Sequence, residues 1–327
     1  MTPVAITTLV PIEVLFAADC QPLDMNNVFL SDPDWRELVA RAEQVGFSEL
    51  SCAWLKGIYG AMLRHGEIRT IVGVTVGDCT DTHVLLEYLE REGLQVVPFA
   101  YIRERLQEEI EHLMRHFGVD WPAVRQWHER LQQTRRLVWR LDELTWQQNT
   151  YSGWDNHLYQ VCCSDMGGDL EAFERDVRAL KPAAAPINPD GVRLGVLGVP
   201  SIFAKQLYPY LEQNLGAKVV FNETQRQFSL PCECDMVEQY RQFTYPYGTT
   251  PRIADIAAEV QRRDIHGLIH YVQAFCYREL TDALIRRDVA VPVLTIIGNH
   301  EQRLDAHVRT RLEAFVDMVV RQRRRHL

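Results

Sequence analysis

The chain has no surplus of basic charge: 35 Lys and Arg face 44 Asp and Glu, for a formal net charge of -9. Phosphate contacts need a basic face, so a dedicated nucleic-acid binder is not expected. The one dense basic run, Arg321 to Arg325, closes a helical pattern, where cations suit the helix dipole. Long apolar runs are missing too, and no stretch approaches the roughly 18 consecutive apolar residues of a membrane helix. Val4 to Ala18 is largely apolar, and Ala17-Ala18-Asp19-Cys20 has the outline of a lipoprotein cleavage site. No basic segment precedes it, Pro11 and Glu13 interrupt it, and Asp19 has the wrong size and charge, so no targeting role is assigned and the chain is read as cytoplasmic.

Nucleotide and hydrolase motifs are absent as well. Gly195-Val196-Leu197-Gly198-Val199-Pro200 lacks the third glycine of a dinucleotide fingerprint and the Gly-Lys-Ser/Thr of a P-loop. Any ATP used in this system is therefore expected on another chain. No G-x-S-x-G element speaks for a serine hydrolase. His300-Glu301, and His112 with His116, do not build an H-E-x-x-H zinc motif. No repeat of short period and no low-complexity tract is present.

What is present is a globular chain of 327 residues, 46% hydrophobic and 24% charged, long enough for two domains with real cores. It also holds eight cysteines. In a reducing cytosol these do not form a disulfide framework, so those in a shared setting become candidates for metal or redox chemistry.

Along the first hundred residues short strand patterns alternate with helical ones. A helix is expected over residues 11–18, a strand over 22–26, a helix over 34–45 capped by Ser31 or Asp32, and a strand over 94–101. Residues 47–51 are read as a strand delivering Cys52, and residues 70–77 as a strand delivering Asp78-Cys79. This alternation predicts a parallel sheet with helices on both faces. Residues 103–146 read as helix only, with Leu106, Ile110, Leu113, Met114 and Phe117 forming one apolar stripe. Pro182, Pro186 and Pro189 mark a linker over residues 181–191. A second α/β region follows, in which residues 265–275 form a strand delivering Cys276, and residues 291–297 another strand. The closing helix turns Leu312, Phe315, Val316, Val319 and Val320 toward a core. The expected organisation is an N-terminal α/β lobe over 1–102, a helical connector and linker over 103–190, and a C-terminal α/β lobe over 191–327.

Cys52, Cys79 and Cys276 thus share one expected setting, a strand-to-helix turn at the ligand-binding edge of a parallel sheet, where the first turn of a helix favours a thiolate. Such thiols suit a soft cation or an iron-sulfur cluster, although cysteine is also a common core residue. Cys232-Glu233-Cys234 has no second Cys or His pair at zinc spacing and is read as a mobile loop. Cys162-Cys163 is placed in a polar turn, and Cys20 is read as structural. Trp54, Lys56, Asp78 and Gln273, which flank the three thiols, are the candidates to line a substrate crevice.

Four segments stand out together: Val10-Pro11-Ile12-Glu13 with Ala17-Ala18, Gly77-Asp78-Cys79, Gly267-Leu268-Ile269-His270 through Phe275-Cys276, and Arg309-Thr310-Arg311-Leu312-Glu313-Ala314-Phe315. In these the chain resembles the 2-hydroxyacyl-CoA dehydratase and benzoyl-CoA reductase family, in its D-component type. The pattern departs at Ile297-Gly298-Asn299, where members commonly carry Glu-Gly-Asp, and at Thr281, where an acidic residue is frequent. The resemblance implies two Rossmann-like, doubly wound α/β lobes joined by a helical connector. It implies one [4Fe-4S] cluster, with Cys52, Cys79 and Cys276 as its ligands. It also implies a separate ATP-dependent activator that supplies electrons, an acyl-CoA-like substrate, a paralogous subunit or a second copy as partner, and a place in anaerobic metabolism. A related double-cubane form would recruit further thiolates from Cys20, Cys162, Cys163, Cys232 or Cys234. A metal-free binding protein of the same fold is the remaining reading.

Overall fold

The computed structural model describes residues 1–298 and 303–326. His300-Glu301 and Asn299, weighed above, lie outside the described residues. The chain divides into two compact units. The first comprises Met1–Leu137, Cys162–Arg178 and Leu230–Gly248; the second comprises Val138–Val161, Ala179–Ser229 and Thr249–Leu327.

In the first unit the strands are β1 (Thr2–Ile6), β2 (Cys20–Asp24), β3 (Thr70–Val76) and β4 (Gln95–Ala100), all parallel in the order β2-β1-β3-β4. β3 reads Thr-Ile-Val-Gly-Val-Thr-Val, and its buried β-branched centre is what a strand covered on both faces requires. One core layer gathers Met25, Phe29, Trp35, Leu38 and Ile58 from the flanking helices against Ala5 and Ile71 of the sheet.

The second unit repeats the plan. Its strands β5 (Arg193–Leu197), β6 (Lys218–Asn222), β7 (Gly267–Gln273) and β8 (Val293–Gly298) are parallel in the order β6-β5-β7-β8. Val220, Phe221, Ile256, Leu268 and Ile285 meet in its core. The closing helix Ala306–His326 buries Leu312, Phe315, Val316 and Val319 on the predicted face, and Phe315 and Val319 lie against Gly267, which has no side chain to obstruct them. Each unit is thus a four-stranded parallel, Rossmann-like α/β sheet, as expected for the fold class. No strand falls between residues 101 and 192, where the helices Leu106–Phe117 and Trp121–Glu143 stand.

Two local expectations change. Residues 47–51 form turns between the helices Trp35–Gln44 and Ala53–Arg64, not a strand. The segment has only two large apolar residues: Phe47 packs on the rings of Tyr59 and Tyr88, while Leu50 is 63% exposed. The strand missing from that count is β1 at the amino terminus, where Pro3 and the brevity of the run hide the pattern.

Candidate functional site

In an open parallel sheet, ligands gather at the carboxyl ends of the strands where the strand order reverses. Both sheets reverse at the same place, between the first and third strands of the unit: β1 and β3 in one, β5 and β7 in the other. The third strand of each sheet then runs into a cysteine-bearing turn. Beyond β3, Gly77 takes a φ of 99°, Asp78 and Cys79 follow, and the helix Asp81–Arg91 begins two residues later. Beyond β7, Ala274 and Phe275, the latter at a φ of 64°, lead to Cys276 at the start of the 3-10 turn Tyr277–Thr281, which continues into the helix Asp282–Asp288. Both thiols stand three positions past the last strand residue, and both are half-buried. Positive φ at Gly77 suits glycine, and a Cβ there would meet Pro246 and Tyr101.

Cys52 has a different setting. It is half-buried at the N-cap position of the helix Ala53–Arg64, where its carbonyl accepts from Lys56 N, but a turn and a helix precede it where a strand was expected. Trp54 packs edge-on to Phe29, with its indole Nε1 buried and unbonded. Lys56 is fully buried, and its ammonium donates to Glu43 Oε1 at 2.6 Å and to the carbonyl of Glu49 at 3.1 Å. Gln273 ends β7, and its Oε1 accepts from the Tyr271 hydroxyl at 2.9 Å. Cys52 and Cys79 belong to the first unit and Cys276 to the second. Among the described residues, no three His, Cys, Asp or Glu side chains form a group able to hold a metal ion.

The strand ends of the second unit are built on buried charge. Gly198, just past β5, donates its N-H to Glu223 Oε2 at 2.9 Å, and Arg252 grips the same carboxylate at 2.6 and 2.9 Å. Burial alone would raise the Glu223 carboxyl, but the charge and hydrogen bonds of Arg252 outweigh it and hold it below the usual range. On β7, His270 meets Asp282 at 2.8 Å, and Asp282 also accepts from Arg286 at 2.6 Å. These groups brace the turn that carries Cys276.

In the first unit, Glu13 of the Pro11-Ile12-Glu13 segment is fully buried. It accepts from Arg135 Nη1 at 2.7 Å and from the Tyr240 hydroxyl at 2.8 Å. Its conspicuous sequence position thus serves an internal ion pair. A second buried group escaped the sequence reading. Asp165 lies in the turn after Cys162-Cys163, accepts the backbone N-H of Asp24 at 2.8 Å, and brings two carboxyl groups together at the end of β2. Burial first, then the charge of Asp24, pushes Asp165 up to about 7. The local signal was Asp24 followed by Asn26 and Asn27, a strand end turning into a capped helix; the partner 141 positions away left none.

The other cysteines have settings of their own. Cys162 and Cys163 open the 3-10 turn Cys162–Ser164, in the expected turn before Asp165, but Cys163 is wholly buried and Cys162 half-buried. Burial raises the Cys162 thiol and pushes Cys163 to about 12, against an opposing pull from Arg135. Cys232 and Cys234, expected as separate thiols in a mobile loop, are joined to each other as a disulfide. Cys20 opens β2, buried, with its thiol raised by burial and by Asp19.

Among the described residues no helix is long and apolar enough to cross a membrane. No curated protein matches the chain. A family model, 2-hydroxyglutaryl-CoA dehydratase, D-component, matches residues 7–319. That span takes in β2 to β8 and all three candidate thiols, so the likeness covers both units. The chain belongs to the 2-hydroxyglutaryl-CoA dehydratase D-component family.

Proposed function

We propose that the chain is the iron-sulfur component of a dehydratase of the 2-hydroxyacyl-CoA type, with a [4Fe-4S] cluster held by the thiolates of Cys52, Cys79 and Cys276. A separate ATP-dependent activator supplies electrons in the cytoplasm, the substrate is an acyl-CoA-like thioester, and a paralogous subunit or second copy completes the enzyme. One observation carries this reading: in a chain of this family, Cys79 and Cys276 occupy the same position relative to the third strand of two sheets with the same strand order.

The donors fit such a cluster in kind. They are soft thiols, half-buried, and each stands at a turn from which a helix or 3-10 turn sets out. When bound, a cluster on three protein thiolates supplies one-electron chemistry and an iron with an exchangeable fourth position. The chain itself contributes shape and polarity. Gly77 and Phe275 fix the two turns, Tyr271 holds the Gln273 amide, and Asp78 and Trp54 flank the thiols that would meet substrate.

A double cubane would need thiolates that the remaining cysteines are poorly suited to give. Cys20, Cys162 and Cys163 all have raised thiols, and Cys232 and Cys234 are bonded to each other. Anaerobically purified protein is therefore expected to hold about four irons per chain, not about eight. Cys52→Ala, Cys79→Ala and Cys276→Ala should each lower iron and sulfide sharply, while Cys232→Ala and Cys234→Ala leave them unchanged. Undiminished iron in all three of the first set overturns the ligand assignment.

A further inference from the structure

Cys232 and Cys234 have no part in the chemistry proposed above, yet they are bonded to each other across a single intervening residue. A cross-link between residues two apart constrains the unfolded chain far less than one closing a long loop, so its value as a staple is small. Its setting is that of an exchangeable bond. Both cysteines are half-buried and reach solvent, and Glu233 between them is exposed. The adjacent pair Cys162-Cys163 is the contrast, with Cys163 wholly buried. Exchange follows thiolate character and access, so the two pairs should differ sharply in reactivity.

The loop around the bond is held by contacts that do not involve sulfur. The carbonyl of Cys232 accepts from the side-chain amides of Gln132 at 3.0 Å and Gln239 at 2.5 Å, and Gln239 also donates to Gln132 Oε1 at 3.0 Å. Arg136 grips Glu233 through two bonds of 2.7 and 2.8 Å, offsetting the one negative charge that stands between the sulfurs. Asp235, next in the chain, caps the helix Met236–Gln242 by accepting from Glu238 N. With both flanks pinned and the Cα atoms 5.4 Å apart, inside the range a disulfide needs, the thiols remain neighbours after reduction and can close again.

We propose that Cys232 and Cys234 form a reversible thiol-disulfide exchange site that takes two electrons from low-molecular-weight thiols. A thiolate of the reductant attacks one of the two sulfurs, the bond between Cys232 and Cys234 breaks, and the other cysteine leaves as a thiolate and takes up a proton. A second reductant thiol attacks the resulting mixed disulfide. The products are two cysteine thiols and one oxidised reductant disulfide; oxidation runs the same steps backward. In a reducing cytosol the disulfides that form are mostly transient, catalytic or redox-sensing, which matches a bond of this kind. The site also touches the interior of its unit: Gln239 accepts from Arg135, the partner of the buried Glu13, so the loop shares a hydrogen-bond chain with that ion pair.

The full chain, purified anaerobically, is equilibrated in glutathione buffers from fully reduced to fully oxidised, then alkylated and mapped by peptide mass spectrometry. Cys232 and Cys234 should pass together between dialkylated and disulfide forms, while Cys163 stays reduced and unmodified in the folded protein. Cys234→Ser in oxidised glutathione should trap one glutathione on Cys232. The wild-type titration stands whether or not the variant folds. Three results overturn the proposal: a pair that stays reduced at the oxidised end, a disulfide that survives excess dithiothreitol in the folded protein, or loss of iron in Cys232→Ala and Cys234→Ala. The last would assign these thiols to metal, whereas failure of the cluster assignment leaves the titration untouched.

Discussion

Arg263→Met is expected to destabilise the second unit by about 3–5 kcal/mol, a large part of a total folding stability of about 5–15 kcal/mol. Arg263 is fully buried and donates to both oxygens of Asp142, at 2.8 and 2.6 Å, to Glu259 at 2.5 Å and to the carbonyl of Val220 at 2.7 Å. Its guanidinium also lies 5.5 Å from the ring centre of Trp146 and 5.2 Å from that of Phe221. Burial would raise both carboxyls, yet Asp142 is held low by Arg263, and Glu259 is held at about 2 by Arg262, Arg226 and Arg263 together. Removing the cation leaves Asp142 a buried charge without its ion-pair partner, supported among the described residues by Asn156 Nδ2 at 2.9 Å and by the charge of Arg226. Urea unfolding followed by far-UV circular dichroism measures the loss. Asp142→Leu added to Arg263→Met should restore part of it, because an apolar pair costs less than half an ion pair. A single variant within about 1 kcal/mol of wild type would show that the pair is not desolvated in solution.

Much of this architecture was legible because its strongest elements are local. β3 and β7 are continuous buried runs, so their extent and the turns at Cys79 and Cys276 follow from residue order alone. The amphipathic closing helix was equally plain. What failed was short or non-local. β1 is five residues long with a proline inside, and only pairing with β2 and β3 makes it a strand. Residues 47–51 looked extended because Phe47 is apolar, but that ring serves an aromatic cluster with Tyr59 and Tyr88. The doubling of sheet order cannot be read from any single strand. Nor could burial of Lys56 against Glu43 be foreseen, since a lysine near a candidate thiol looks the same in sequence whether it faces a substrate or an internal carboxylate. The disulfide between Cys232 and Cys234 was hidden by the premise of a uniformly reduced chain.

The two units are expected to answer pH in opposite directions. In the first, Asp165 is raised from an ordinary carboxylate value to about 7, by burial and then by Asp24, whose own carboxyl is also raised by burial. Cys162, Ser164, Asn26 and Asn27 surround the pair, and none brings a positive charge. The folded state therefore binds a proton that the unfolded chain has released, so this contribution is full below the unfolded value and lost as pH rises through about 7. In the second unit His157 is lowered to about 3 by burial. Its Nδ1 meets the Tyr208 hydroxyl at 2.7 Å, and that hydroxyl donates to Asn222 Oδ1 at 2.7 Å, so the ring is the neutral Nδ1-H form donating to tyrosine. Here the unfolded chain binds the extra proton; stability is full above the unfolded histidine value, near 6.5, and falls as pH drops toward about 3. Each group alone moves stability by on the order of 4 kcal/mol. Hydrogen exchange between about pH 5 and about pH 8, corrected for intrinsic rates, should show β1–β4 weakening toward the alkaline end and β5–β8 toward the acid end. Asp24→Asn keeps a side chain able to cap the helix Met25–Ser31 and removes one charge, so it should flatten the first trend, and His157→Gln should flatten the second. If β1–β4 are as protected at about pH 8 as at about pH 5, Asp24 and Asp165 do not share a buried site in solution.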